Sequence, residues 1–287
     1  MTKAYKFLAR WPAVLALAIP LVAAPVPARG AQAPQPCGVV TVAAASDLSF
    51  AMKDIAAGFE RASGCTVRVS SGSSGNFYAQ IQNGAPFDVF FSADVDYPGK
   101  LEAEGLAAPG STHVYAIGKI VLWVRADSGL DPAQGFAMLR DPGIRKIAIA
   151  NPEHAPYGRA AEQALRRAGV YDAVKGKLVL GENISQAAQF VASGNADAGI
   201  LALSLARSPA LAGQGRTWRI PEQWYVPIEQ GVVALGRAPN SAGARAFLDY
   251  VKTPAVAAIL ERHGFVLPGR APVISGESGI SEGKLRP

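Results

Sequence analysis

The chain has 287 residues, 49% hydrophobic and 17% charged, with a formal net charge of +6, two cysteines and three histidines. Four of its basic residues, Lys3, Lys6, Arg10 and Arg29, lie in residues 1–33, which hold no acid, so removing that segment takes the charge from +6 to +2. Such a balance gives no case for a nucleic-acid surface, and the roughly 250 remaining residues suffice for one large α/β domain or two lobes with cores of their own.

Residues 1–33 read as a cleaved signal peptide. A basic front end is followed by an uncharged run, Trp11 to Ala24, that contains Pro12 and Pro20. That run falls short of the about 20 apolar residues a membrane span needs. Val26-Pro27-Ala28 and Ala31-Gln32-Ala33 both fit a small-residue cleavage pattern, and an uncleaved anchor is the alternative. Cys37 follows Ala-Pro-Gln-Pro, which is not a lipoprotein setting. Export, hence a periplasmic location, is the expectation.

The first folded stretch joins an apolar run at Val39–Val42, through three alanines, to Ser46 and Asp47. Leu48, Ala51, Met52, Ile55 and Phe59 then recur on one helical face. A buried parallel strand running into an amphipathic helix is predicted. First-turn N–H groups lack partners in their own helix and carry partial positive charge, so this junction suits an anion, with Ser46 adding a hydroxyl. The plainer reading is that Ser46 or Asp47 caps the helix.

Cys65 precedes a second strand, Thr66–Val69, as Cys37 precedes the first. Adjacent parallel strands would bring the two sulfurs together at neighbouring strand starts, and an oxidising compartment favours a disulfide over two free thiols. Two cysteines and the scattered His113, His154 and His263 carry no metal signature. The second strand runs out in Ser70-Ser71-Gly72-Ser73-Ser74-Gly75-Asn76 before a helix with Phe77, Tyr78 and Ile81. Two serine-bearing helix starts then face the same sheet edge, where open α/β sheets bind ligands.

A third strand within Gly84–Asp94, a helix stopped at Gly105, and a strand at Ile117–Arg125 that passes to a second lobe follow. Beyond a short helix after Pro132 come a strand at Lys146–Ala150, a loop at Asn151–Arg159 and a helix at Ala160–Ala168. His154, between prolines, is a structural loop residue or a ligand or base. Leu178–Leu180, a loop at Gly181–Gln186, a helix through Val191 and a strand at Ile200–Leu203 complete that lobe. Trp224–Leu235 returns to the first, with helices at Ala242–Val251 and Pro254–His263 and a loose tail after Leu267.

The motifs AAASDLSFAM, GSSGNFYAQI, GAPFDVFFSAD, NPEHAPYG, GENISQAAQF and ADAGILAL resemble those of the molybdate-binding proteins of bacterial ABC-type importers, in order from about Val39 to Leu267. The resemblance implies a type II periplasmic binding fold: lobe 1 over 37–118 and 229–268, lobe 2 over 119–228, two crossings between them, and a tail at 269–287. It implies a monomer that is not an enzyme, takes no cofactor, closes on molybdate (and tungstate) and delivers it to an ABC permease at the inner membrane. The implied oxyanion contacts, made by neutral donors and not by a bond to the metal, are Ser46 with Asp47 beside it, Ser74 (Ser73 by a one-residue slip), Tyr157 and Ile184. A tyrosine that some members carry falls on Ala202; Tyr157 compensates through its main chain or its hydroxyl.

Asp47 is read as turned away and stabilising its helix start; facing the cavity, it would accept a proton from hydrogen phosphate. Rival readings are a carrier of sulfate, phosphate or a small organic acid, for which Arg159 is the one loop cation, and a serine hydrolase, for which no base and no G-x-S-x-G elbow stand at Ser46 or Ser74.

Overall fold

The computed structural model describes residues 37–269; the expected signal segment and the tail from 270 onward lie outside the described residues. The chain begins with β1 (Val39–Ala45), whose side chains alternate between two cores. Val40, Val42 and Ala44 face one cluster and Ala43 the other, the period of two that a sheet buried on both faces requires. A 3₁₀ turn, Ser46–Leu48, leads into α1 (Ser49–Ser63), which buries Ala51, Met52, Ile55 and Phe59. The helix ends because Gly64 adopts the left-handed conformation (φ 73°) and returns its N–H to the carbonyl of Glu60.

Next come β2 (Thr66–Gly72), α2 (Ser74–Gln82), β3 (Val89–Ser92), α3 (Asp96–Ala103) and β4 (His113–Gly118). The second half holds β5 (Ile120–Arg125), a 3₁₀ segment at Pro132–Arg140, β6 (Ile147–Ala150), α4 (Pro156–Arg167), α5 (Tyr171–Val174), β7 (Leu178–Gly181), α6 (Ile184–Ala192), β8 (Ala198–Ala202), α7 (Leu203–Ala206) and β9 (Gly215–Arg219). Then β10 (Ile228–Ala234), α8 (Ser241–Val251) and α9 (Pro254–Arg262) close the chain.

The strands form two five-stranded sheets, β2-β1-β3-β10-β4 and β7-β6-β8-β5-β9. In each, three strands are parallel, and the one that comes across from the other sheet, β10 or β5, runs antiparallel between its neighbours. This is the two-lobed α/β fold with two crossings that the resemblance implies.

Ile117–Arg125, expected as one strand, is two. Ile117 pairs with Glu229 in the first sheet and Ile120 with Ala202 in the second, so the chain changes sheets at Lys119. α4 starts at Pro156 and not at Ala160: proline at the first helical position has no N–H to leave unpaired and a backbone angle already set for helix. Leu203 opens α7 instead of ending a strand. β9 escaped the sequence reading because only Trp218 of its five residues is buried. Cys37 and Cys65 are joined, Cα atoms 4.8 Å apart, at the starts of β1 and β2, which pair in parallel from Val39 and Thr66. Among the described residues no helix is long and apolar enough to cross a membrane.

Candidate functional site

The strand order puts the C-terminal ends of β1 and β2 side by side, and the junctions after them point at the second lobe. The narrow space between them is lined by Ser46, Asp47, Ser73 and Ser74 from the first lobe and by Pro156, Tyr157, Asn183 and Ile184 from the second. All five residues of the expected contact set, with Ser73, are thus brought together. No lysine, arginine or histidine side chain is in the lining.

The serines divide by how their hydroxyls are used. Ser46 Oγ accepts the N–H of Ser185 at 3.3 Å and Ser74 Oγ accepts the N–H of Ala93 at 2.9 Å. Each keeps its own proton to donate. Ser73 Oγ instead donates to the carbonyl of His154 at 2.5 Å, with His154 Nδ1 2.9 Å away. Ser73 thus meets His154 twice across the lobes, at its carbonyl and at its ring. His154 is therefore an interlobe contact.

Two more donors come from helix starts. Tyr157 lies in the first turn of α4 and Ile184 opens α6 behind the cap Asn183, whose side chain accepts from Gln186. Neither N–H has an acceptor within its own helix. Local sequence puts them there: Pro156 starts one helix and Asn183 caps the other.

Asp47 does not cap its helix, contrary to the expectation. Its side chain makes no cap bond and is buried, 2% exposed, against the opposite lobe. Oδ2 accepts from Tyr157 Oη at 2.9 Å and from Gln230 Nε2 at 2.5 Å, while Oδ1 has no hydrogen-bond partner. Gln230 also donates to Tyr157 Oη and accepts from Tyr115 Oη. Burial outweighs these bonds and pushes the Asp47 carboxyl up to about 6. The same burial, with the Asp47 charge adding to it, holds the Tyr157 and Tyr115 hydroxyls well above their usual 10. The Tyr157 hydroxyl is thus spent inside the protein, packed over Gly118, where any side chain would collide with it.

Sequence reading missed Gln230 and Tyr115. Gln230 is fully buried in β10, but it follows the exposed Glu229, so its burial carries no local signal. It also missed Ser185 and Ser204, whose hydroxyls donate to the carbonyls of Ser46 and Asp47 at 2.9 and 2.8 Å. Arg159, weighed as a carboxylate ligand, pairs with Asp94 across the lobes at 2.5 Å.

The family model for bacterial extracellular solute-binding proteins matches residues 40–266. The chain is 44% identical over 228 residues to the molybdate-binding protein ModA of Azotobacter vinelandii, covering 79% of this chain and 90% of that one. With its Rhodobacter capsulatus counterpart it shares 41% over 239 residues, 83% and 92% of the two chains. The solved Azotobacter vinelandii periplasmic molybdate-binding protein superposes with a TM-score of 0.75 at 41% identity, covering 80% of this chain and 99% of that one. Matched along nearly all of the folded chain by these relatives, and built on the same two lobes, the chain belongs to the molybdate-binding family of bacterial extracellular solute-binding proteins.

Proposed function

We propose that this protein captures molybdate between its lobes in the periplasm and hands it to an ABC permease, and that tungstate, of the same charge and tetrahedral shape, is a second ligand. The observation that carries the reading is a closed cleft offering hydroxyls and helix-start N–H groups with no side-chain cation. Such a set suits a fully ionised oxyanion, because these hydroxyls and N–H groups are charge-assisted donors, while the one carboxyl in the lining, Asp47, is engaged by Tyr157 and Gln230. The oxyanion donors are Ser46 Oγ, Ser74 Oγ and the main-chain N–H groups of Tyr157 and Ile184. Ser73 serves closure, and the metal itself touches no protein atom.

The lobes are assigned to 37–118 with 229–268 and to 119–228, the signal to 1–33, and the working form is a monomer that performs no chemistry on its ligand and needs no cofactor. Calorimetric titration of the mature, ligand-stripped protein with molybdate, tungstate, sulfate and phosphate tests this. One-to-one binding of the first two with no signal from the others supports the reading; silence for all four removes the oxyanion assignment.

A further inference from the structure

The inference here rests on the oxyanion reading and adds a proton to it. Asp47 sits on the first lobe, yet its carboxyl is covered by the second: Tyr157 of α4 donates to Oδ2, and Ser204 of α7 holds the Asp47 carbonyl. From its own lobe it meets Gln230 of β10, with Tyr115 of β4 behind. Ser185 of α6 fixes the same turn through Ser46. Tyr225, on the crossing that leads into β10, acts on Tyr157 and not on Asp47 directly. The facing titratable groups are thus tyrosines, neutral at any working pH, and no lysine, arginine or histidine of α1 or of any other packed element acts on the carboxyl.

An ionised carboxylate in this place has Oδ2 hydrogen-bonded twice, while Oδ1 has no partner at hydrogen-bond geometry and only the backbone N–H groups of Asp47 and Leu48 lend the carboxyl weaker support. Parting the lobes would remove Tyr157 and return water to it; closing them takes water away, which disfavours the charged form. A doubly charged anion brought into the cleft that Asp47 lines adds repulsion of the same sign. Closure, ligand and proton therefore favour one another.

We propose that Asp47 takes up one proton from solvent, on Oδ1, as the cleft closes on the oxyanion, so that the dianion is captured together with a proton. The carboxylate becomes a carboxylic acid, and no bond of the oxyanion forms or breaks. Molybdate affinity then falls as pH rises, because above the free-state pKa each binding event must draw a proton from an increasingly dilute pool.

The test is calorimetry of molybdate binding to the mature protein near neutral pH in buffers of different ionisation enthalpy, paired with Kd measured from about pH 6 to about pH 8. Expected are a net uptake of protons on molybdate binding, largest at the acid end of that range, and a Kd that weakens with rising pH by no more than about tenfold per unit. For Asp47→Asn the uptake vanishes and Kd is flat with pH. Binding by the wild type with no buffer dependence and a flat Kd overturns the proposal, as does full proton uptake by Asp47→Asn. Failure of the wild type to bind molybdate at all overturns the oxyanion reading itself, a different result from binding without a proton.

Discussion

Gly75 donates its backbone N–H to the carbonyl oxygen of His154 at 2.9 Å, and a Cβ on Gly75 would stand 2.6 Å from that same oxygen. The contact joins the first turn of α2, on one lobe, to the loop before α4, on the other. Only glycine lets the two backbones approach this closely, and the neighbouring Ser73 hydroxyl reaches the same carbonyl. Gly75→Ala should therefore prop the cleft ajar. We expect a loss of molybdate affinity of roughly ten- to hundredfold, the cost of about 1–3 kcal/mol of overpacking. Thermal stability of the ligand-free protein should hold or rise slightly, since alanine is the better helix residue by about 0.5–1 kcal/mol. Equal affinities for the two proteins by calorimetry would show that ligand binding does not need this closed contact.

The division of labour among the serines gives a second test. Ser46→Ala and Ser74→Ala each remove a donor to a charged ligand, about 1.5–3 kcal/mol or roughly 10- to 150-fold in Kd. Ser73→Ala removes an interlobe bond between neutral groups, about 0.5–1.5 kcal/mol. The order of Kd values measured in parallel should place Ser73→Ala nearest the wild type. A Ser73 effect as large as that of Ser74 would mean the one-residue slip is the right alignment of donors.

The disulfide should matter for stability and not for binding. It closes a loop of 28 residues, for which chain entropy assigns about 3–4 kcal/mol. Cys37 and Cys65 lie at the opposite ends of β1 and β2 from Ser46 and Ser73, about 20 Å away along a seven-residue strand. Cys37→Ser with Cys65→Ser should lower Tm by roughly 10 °C at this chain length, while Kd for molybdate stays within about twofold, a change of less than the about 1.4 kcal/mol that a tenfold shift needs.

Burial of Asp47 has a stability signature with a definite sign. Its folded-state pKa of about 6 lies above the ordinary value of 3.8, so between these two the folded protein holds more protons than the unfolded chain. Stability from this group therefore falls as pH rises through the window and the cost is complete above pH about 6. The closed protein loses at most about 3 kcal/mol there, at about 1.4 kcal/mol per pKa unit. Asp47→Asn should raise Tm near neutral pH and gain progressively less below about pH 5, within that titration window. A Tm difference that does not change with pH would place the effect in packing.

Much of this architecture was legible because it rests on local patterns. The 3.6-residue spacing of Leu48, Ile55 and Phe59, the β-branched run before it and the serine-rich turns at Ser46 and Ser70–Ser74 each specify their own element. Parallel pairing then put the turns, and the two cysteines, where they were expected. What stayed hidden depends on residues distant in sequence. Asp47 could be placed at a helix start, but its partners Tyr157 and Gln230 lie 110 and 183 positions away. Nothing near Asp47 signals that the opposite lobe covers it. The break at Lys119 was invisible for a related reason, since Ile117 to Arg125 is uniformly strand-forming and only the partners on either side differ.

The contacts that join the lobes across the cleft have a kinetic consequence. The donors of Ser46, Ser74, Tyr157 and Ile184 line one narrow interlobe space, so an anion held by them has exchanged its hydration water for protein groups. Gly75–His154 and Arg159–Asp94 join the lobes beside that space, and these contacts must part for the lobes to open. Escape then waits for the whole hinge to swing, which makes residence time a property of Lys119 and the strand crossings more than of the donors. A membrane partner that pries at those crossings would unload the cargo without touching it.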